Sequence, residues 1–232
     1  MHPKIRLVVF DMAGTTVRDD DAVNTCLRDA LADAGVHAGR DAVNAVMGIP
    51  KPLAIAAVLR GNRPAQEPTP ELISRIHENF LGRMIRFYQT DPRVGEMPGA
   101  AATFRQLRQA GIKVGLDTGF SRPIVNAILD RLVWSPTGLL DTTVASDEVP
   151  RGRPHPDLLF EAMRRTGITD VQAVAKVGDT PSDLQEGAAA GCALVVGVTN
   201  GTHTRAQLES HPHTHLIASL FELPALLLAA RD

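Results

Sequence analysis

The sequence predicts an α/β fold, in which a doubly wound parallel sheet core carries an inserted helical cap domain. Two observations lead to this prediction. Short apolar segments, typical of strands buried in a parallel sheet, alternate with amphipathic segments of helical spacing along most of the chain. One stretch near the N-terminus breaks this alternation, because it has helical spacing and no convincing strand. Sheets of this kind bind ligands beyond the carboxyl ends of their strands, so we expect the functional residues there.

The predicted strands are short, nearly continuous apolar runs, as expected for a Rossmann-like sheet covered on both faces. They lie at residues 5–10, 113–116, 173–177 and 193–198. Apolar residues recur on one face of three further segments, which predicts helices. These helices span residues 100–110, 123–132 and 157–166. Gly111 and Gly167 follow two of them and are suited to end a helix.

The stretch between Arg18 and Arg93 predicts the cap domain. Its first segment, from Asp21 to Gly35, has apolar residues at helical spacing. Thr69 is a predicted N-cap, with Pro70 at the first helical position of a second long helix. We therefore assign residues 1–18 and 93–232 to the α/β core domain and residues 19–92 to the helical cap domain.

The bulk composition excludes several classes of function. The chain has 232 residues, with 24 Lys and Arg against 26 Asp and Glu, so no nucleic-acid or membrane-surface partner is expected. No segment resembles a signal peptide or a membrane span. The two cysteines, Cys26 and Cys192, are too few for a disulfide framework, and we expect a cytoplasmic protein. The cluster of His203, His211, His213 and His215 is interpreted as part of a solvated late loop, with a transition-metal site as the alternative.

Acidic residues follow two of the predicted strands. Asp11 closes the first strand, and Asp179 and Asp183 follow the third, one helical turn apart. A single Asp at a strand end most often caps a helix. Carboxylates gathered from different strand ends instead predict a site for a hard divalent cation such as Mg²⁺. A further strand ends at Thr118 and Gly119, whose hydroxyl and backbone N–H groups can bind a phosphoryl oxygen.

These motifs, in this order, resemble those of the haloacid dehalogenase superfamily: Asp11-Met12-Ala13-Gly14-Thr15, Thr118 and the segment 178–183. The resemblance covers the whole chain. It implies that Asp11 attacks phosphorus to give an aspartyl-phosphate. It also implies that Mg²⁺ is held by the Asp11 carboxylate, the Ala13 carbonyl and Asp179, with Asp183 acting through water, and that Thr118 binds a phosphoryl oxygen.

Ala13 indicates which branch of the superfamily this sequence resembles. Most phosphatases of the superfamily carry a second Asp at this position, which protonates the departing oxygen. Alanine at this position, in the segment DMAGTT, resembles the phosphonoacetaldehyde hydrolases, or phosphonatases, which cleave a carbon–phosphorus bond. Met47-Gly48-Ile49-Pro50-Lys51 resembles their cap loop, which implies that Met47 contacts substrate and that Lys51 forms an imine with an aldehyde. Arg153 matches their phosphate-binding position, with Arg151 as a solvated neighbour. Taken alone, Lys51 would be interpreted as a surface lysine.

The sequence departs from the phosphonatases at three positions that act with the lysine. Ala54 replaces a His, Asp21 occupies the position of a Cys, and Phe120 replaces a Tyr. Cys26 is interpreted as a packing residue of the first cap helix. The alternative functions are a phosphomonoesterase for a small phosphorylated metabolite and a binding protein without catalysis. We expect a small phosphonate or phosphate as substrate, and a homodimer that forms through the cap.

Overall fold

The computed structural model describes residues 4–62, 67–134 and 137–228. Its centre is a six-stranded sheet in the order β3-β2-β1-β4-β5-β6, and every strand pair is parallel. The strands are β1 (Leu7–Asp11), β2 (Lys113–Asp117), β3 (Thr142–Val144), β4 (Val174–Gly178), β5 (Leu194–Val198) and β6 (His215–Ile217). The direction of winding reverses between β1 and β4. The crevice at their carboxyl ends is therefore the expected ligand site.

The four strands predicted from apolar runs are confirmed, and two strands were missed. β3 and β6 each have three residues and lie at the two edges of the sheet. Edge strands are only partly covered, so their residues form no long apolar run. His215, placed in a loop by the sequence prediction, is the first residue of β6.

Ten α-helices surround the sheet in the described part of the chain. The first four are α1 (Ala22–Asp33), α2 (Arg40–Asn44), α3 (Lys51–Asn62) and α4 (Pro70–Thr90). The others are α5 (Ala100–Gln109), α6 (Arg122–Leu132), α7 (Asp157–Thr166), α8 (Pro181–Ala190), α9 (Arg205–Leu208) and α10 (Leu223–Leu228). The three helices predicted between strands are α5, α6 and α7, each within about two residues of its predicted bounds.

Helices α1 to α4 all lie between β1 and α5, and the described residues of that stretch form no strand. Thr69 caps α4 as predicted, since its hydroxyl accepts a hydrogen bond from the Leu72 amide at 3.3 Å. The buried face of α4 is formed by Ile76, Phe80, Met84 and Tyr88, while Ile73 and Phe87 are only half-buried. The division into a core domain and a cap domain at residues 18–19 and 92–93 stays a prediction.

The apolar face of α1 is covered within the chain. Leu27 and Leu31 are fully buried and pack in one cluster with Phe80 and Met84 of α4. Packing inside the chain therefore accounts for the apolar pattern, and the homodimer stays a prediction. None of the described helices combines the length and apolar character that a membrane crossing requires.

Candidate active site

The parallel register brings two carboxylates together at the centre of the sheet. Asp11 ends β1 and Asp117 ends β2, and the two residues are direct register partners. Asp179 follows β4, and Asp183 lies in the first turn of α8. The Thr180 hydroxyl donates to Asp183 Oδ2 at 2.6 Å, which fixes this carboxylate at the helix N-terminus. All four Asp side chains are buried.

Arg153 lies in the middle of these carboxylates and is only 1 % exposed. Its Nη1 lies 2.6 Å from Asp11 Oδ1 and 2.8 Å from Asp183 Oδ1, and its Nε lies 2.9 Å from Glu186 Oε2. Its Nη2 donates to Asp117. Since all three guanidinium nitrogens contact carboxylates, Arg153 holds side chains from β1, β2 and α8 in one arrangement.

Lys176, on β4, is a second buried cation in the same place. Its Nζ donates to Asp117 and lies 3.0 Å from Glu186 Oε2 and 3.3 Å from Asp183 Oδ1. These carboxylates raise its pKa against the opposing effects of burial and of Arg153. We use the name charged cluster for the buried carboxylates and cations at this sheet edge. Its members are Asp11, Asp117, Asp179, Asp183, Glu186, Arg153 and Lys176.

Burial disfavours charge on the carboxylates of this cluster. It raises the pKa of Asp11, an effect that the positive charge of Arg153 opposes. Burial and the neighbouring Asp183 raise the pKa of Asp179 to about 6. Burial raises the pKa of Glu186 to about 8, and Asp117 adds to this effect. A cation brought to the cluster would therefore favour the ionised forms.

The donor set fits a hard divalent cation. One oxygen each from Asp11, Asp117 and Asp183 lies within 4.8 Å of the others. Among the described side chains, buried oxygens of Asp117, Asp183 and Glu186 have no hydrogen-bond partner, although Asp183 Oδ1 is close to Arg153. The cluster holds five carboxyl groups against two cations, so a divalent cation would offset most of the remaining negative charge. Oxygen donors of this kind suit Mg²⁺.

Two of the predicted metal ligands lie outside that group of three. The oxygens of Asp179 accept hydrogen bonds from the Thr15 hydroxyl and the Thr202 amide, both at 2.7 Å. Ala13 lies beside Asp11 on the wall of the same cavity. Asp117 was not predicted as a ligand. Its proximity depends on strand register, which the sequence did not specify.

Lys51 is the first residue of α3, and it is 4 % exposed. Its Nζ lies 5.4 Å from the ring centre of Phe120 and 5.9 Å from that of Phe80. It faces a cavity of about 30 Å³, which we call the amine cavity and which has room for about two water molecules. This cavity is lined by Asp11, Ala13, Asp19, Val23, Met47, Gly48, Lys51, Thr118, Gly119, Phe120, Thr180 and Thr202.

The position of Lys51 changes its protonation. Burial lowers the pKa of Lys51 to about 8, and the positive charge of Arg153 acts in the same direction. The negative charges of Asp11 and Asp19 oppose this effect. An ordinary lysine is almost fully protonated near pH 8, whereas about half of the Lys51 side chains are neutral there. The amine is therefore available as a nucleophile.

Two glycines let the loop before Lys51 lie directly on the core. A Cβ atom on Gly119 would lie 2.8 Å from the carbonyl oxygens of Gly48 and Ile49. Gly48 has a φ of +83°, and a Cβ there would lie 2.5 Å from the Thr180 hydroxyl. The contact between the two loops therefore depends on backbone without side chains, and it holds Lys51 and Met47 at the amine cavity.

The structure brings all the predicted site residues together in two adjoining places. Asp11, Ala13, Met47, Lys51, Thr118 and Gly119 line the amine cavity, and Asp179, Asp183 and Arg153 lie in the charged cluster. The predicted phosphate-binding role of Arg153 stays a prediction, since its nitrogens contact carboxylates here. Arg151 is 61 % exposed and pairs with Asp157, as expected of a solvated neighbour.

Three residues stand where phosphonatases carry the partners of their lysine, and they do not all lie at the amine cavity. Phe120 lines the amine cavity, and Ala54 is buried on α3. Asp21 lies outside the cavity lining and forms a salt bridge with Arg40 at 3.0 Å. Asp19, two residues earlier, lines the cavity instead.

Sequence reasoning missed three residues of the site: Asp19, Asp117 and Glu186. One of them had a usable signal, because Glu186 lies one helical turn after Asp183 and on the same face of α8. Cys26 is half-buried against the core, as interpreted, and burial raises its pKa to about 11. Its thiol is therefore not a nucleophile near neutral pH.

Comparisons with known proteins identify the family. Residues 5–191 match the family model of the haloacid dehalogenase-like hydrolases. The phosphonoacetaldehyde hydrolase of Bordetella pertussis is 32% identical in an alignment that covers 89% of this chain and 77% of that protein. The phosphonoacetaldehyde hydrolase of Bacteroides fragilis is 28% identical in an alignment that covers 97% of this chain and 96% of that one.

Solved structures show the same fold. A phosphonoacetaldehyde hydrolase-like protein from Oleispira antarctica superposes with a TM-score of 0.84, at 21% identity, over 98% of this chain and 93% of that chain. A hydrolase from Pseudomonas syringae superposes with a TM-score of 0.85, at 19% identity, over 98% of this chain and 99% of that one. At these identities the likeness concerns the fold alone.

Proposed function

This chain belongs to the haloacid dehalogenase-like hydrolases, and from that premise we propose that it cleaves the carbon–phosphorus bond of a phosphonoacetaldehyde-like phosphonate. In this proposal Asp11 is the nucleophile and Lys51 is the imine-forming amine. The observation that supports it most is the position of Lys51. Its amine is buried, has a pKa lowered to about 8, and faces the same small cavity as Asp11.

The reaction needs two covalent bonds between protein and substrate. The neutral Lys51 amine condenses with the aldehyde, takes up one proton from an acid and releases water, which gives a protonated imine. An Asp11 oxygen then attacks phosphorus, and the electron pair of the carbon–phosphorus bond moves toward the imine nitrogen, forming an enamine. Protonation and hydrolysis of the enamine release acetaldehyde and free Lys51. Water hydrolyses the aspartyl-phosphate and releases inorganic phosphate.

Mg²⁺ would be held by Asp11, the Ala13 carbonyl and Asp179, with Asp183 and Asp117 close by. When bound, the ion would neutralise charge on the phosphoryl group during attack. The chain's own residues prepare the site for this. Arg153 and Lys176 fix the carboxylates, while Thr118 and Gly119 at the end of β2 face the cavity where phosphoryl oxygens would lie.

Ala13 supports carbon–phosphorus cleavage over ester hydrolysis. An alkoxide leaving group needs a proton, and a general acid typically contributes about 10²–10⁴-fold in rate. The alanine at position 13 lines the cavity beside Asp11 and supplies no proton. In the proposed reaction the imine accepts the electrons, so no acid is needed there.

The alternative is a phosphomonoesterase for a small metabolite, in which Lys51 binds only the polar end of the substrate. The observation that favours it is the replacement of three phosphonatase partners by Ala54, Asp21 and Phe120. A binding protein without catalysis is disfavoured, because the nucleophile and the carboxylates are all present and gathered at one sheet edge. The cytoplasmic location stays a prediction.

The test is covalent trapping. Sodium borohydride added with phosphonoacetaldehyde should inactivate the enzyme and leave a reduced two-carbon adduct on the peptide that contains Lys51, detected by mass spectrometry. Lys51→Arg keeps the positive charge but forms no imine under these conditions, so it should lose both the adduct and phosphate release. An unmodified Lys51, together with full phosphate release by Lys51→Arg, would favour the phosphomonoesterase.

A further inference from the structure

The amine cavity contains a carboxyl group that the proposed reaction does not yet use. Asp19 lies in the loop between β1 and α1 and lines the cavity together with Lys51. Its Oδ1 accepts a hydrogen bond from the Val23 amide at 2.9 Å, which fixes the side chain at the start of α1. Within the described part of the chain, its Oδ2 accepts no protein hydrogen bond. One oxygen is therefore held and the other is free to exchange a proton.

Imine chemistry on Lys51 requires such a group. The carbinolamine formed by addition of an amine to an aldehyde loses hydroxide poorly at neutral pH, so an acid must protonate the departing oxygen. The imidazole that a histidine at position 54 would supply is missing, because Ala54 has no ionisable group. Among the residues that line the cavity, Asp11 and Asp19 are the two acids. In the proposed reaction Asp11 attacks phosphorus, which leaves Asp19.

We propose that Asp19 is the acid–base group that forms and hydrolyses the imine on Lys51. This inference rests on the proposed function. Both side chains line the same cavity, which has room for about two water molecules, so a carbonyl group bound there would meet both an amine and a carboxyl group.

The neutral amine adds to the aldehyde carbon, and its proton moves to the carbonyl oxygen. Asp19, as a carboxylic acid, donates its proton to that hydroxyl group, the carbon–oxygen bond breaks, water leaves, and the nitrogen lone pair completes the protonated imine. After carbon–phosphorus cleavage, the enamine carbon takes a proton from solvent water. Water then adds to the imine carbon while the Asp19 carboxylate accepts a proton from it, and Lys51 leaves as the amine.

The surroundings of Asp19 suit both of its states. Burial raises its pKa, and the negative charges of Asp21 and Asp20 act in the same direction, which favours the acid at the start. Tyr88 also lies nearby. The positive charge of Lys51 acts in the opposite direction. Arg153, Asp11 and His77 are the other charged or titratable groups that face Lys51. Once the cationic imine has formed, the Asp19 carboxylate beside it is stabilised by the new charge.

Asp19→Asn separates proton transfer from helix capping, because the amide oxygen can still accept the Val23 hydrogen bond. We expect kcat with phosphonoacetaldehyde to fall about 100-fold, and the Lys51 adduct to accumulate correspondingly slowly before a borohydride quench. Hydrolysis of acetyl phosphate, which uses Asp11 but needs no imine and no leaving-group acid, should fall by much less. The thermal midpoint should be unchanged, and Asp19→Glu should recover part of the lost rate.

Asp20→Asn is the matched control, since it removes an exposed carboxylate one residue away.

The outcomes separate this inference from the proposed function. If the wild-type enzyme gives no Lys51 adduct, the proposed function itself fails. If the wild type gives the adduct and Asp19→Asn forms it at the same rate, only the role of Asp19 is wrong. Equal losses with phosphonoacetaldehyde and acetyl phosphate, or a lowered thermal midpoint, would show a structural role and overturn the inference.

Discussion

Two lysines of this protein are almost completely buried, yet their protonation is shifted in opposite directions. Lys176 lies in the charged cluster, within 3.3 Å of three carboxylates, and its pKa is raised. Lys51 lies in the amine cavity beside the rings of Phe80 and Phe120, and its pKa is lowered to about 8. Both shifts occur within one active site, so burial alone does not decide the charge of a lysine.

The difference lies in what replaces water around each ammonium group. Desolvation disfavours the charged form of both side chains, but contacts with carboxylates more than compensate for it at Lys176. At Lys51 no carboxylate of the described residues lies within salt-bridge distance, and aromatic faces offer a weaker attraction. The same residue type is therefore a structural cation in one place and, in the proposed reaction, a nucleophile in the other.

The largest expected effect concerns the carboxylate shared by the two regions. Asp11→Asn keeps the size of the side chain but removes the charge that attacks phosphorus and that would bind Mg²⁺. Phosphate release should fall to the uncatalysed background. A variant that retained more than a few per cent of wild-type release, measured with a colorimetric phosphate assay, would remove Asp11 from the role of nucleophile.

Metal removal should affect the charged cluster without unfolding the chain. Excess chelator is expected to abolish phosphate release, and added Mg²⁺ to restore it. The far-UV circular dichroism spectrum should remain unchanged, because the sheet and its apolar core form without the ion. Full activity in excess chelator would contradict the proposed metal-dependent mechanism.

Replacing each lysine by methionine tests the comparison directly. Lys176→Met leaves Arg153 to face the buried carboxylates of Asp117, Asp183 and Glu186 without the second cation, and we expect it to lower the free energy of unfolding by about 3–5 kcal/mol. Lys51→Met removes a desolvated charge that has no close ion pair, and it should be neutral or stabilising by roughly 1–3 kcal/mol at pH 7. Urea denaturation of the two variants measures both values, and equal losses of stability would show that the comparison is wrong.

The pH dependence of stability supplies a smaller, signed test. The pKa of Lys51 is about 8 in the folded chain and about 10.5 in the unfolded chain. Between these two values the unfolded chain binds more protons. Wild-type stability should therefore gain a contribution as pH rises through this window. Any advantage of Lys51→Met should shrink over the same range. A constant difference between pH 7 and pH 10 would indicate that Lys51 is not desolvated.

Where addition of the amine limits it, the rate of imine formation should rise by about tenfold per pH unit below pH 8 and level off above it, because only the neutral amine adds to an aldehyde. Borohydride trapping of the Lys51 adduct at several pH values measures this directly. A rate that is flat from pH 6 to pH 9 would mean that amine deprotonation does not limit the reaction.

The sequence by itself was sufficient for the fold class and for most of the site. Apolar runs predicted the four central strands because a buried parallel strand must be apolar on both faces. Asp11 and Asp179 could be placed at strand ends because Asp11 directly follows such a run and Asp179 follows one after a single glycine. The three-residue edge strands could not be found, since their partial exposure leaves no pattern of sufficient length.

Tertiary structure alone decided which distant residues meet. Asp117 became a neighbour of Asp11 through the register of β1 and β2, which no local pattern encodes. Asp19 rather than Asp21 faces Lys51, because the path of the loop before α1 determines which carboxyl group points into the cavity. The sequence could name Lys51 as a candidate, but its reactivity depends on burial and on the charges around it. Those are properties of the packed chain, because they arise from groups far apart in sequence that folding brings within a few ångströms of one amine.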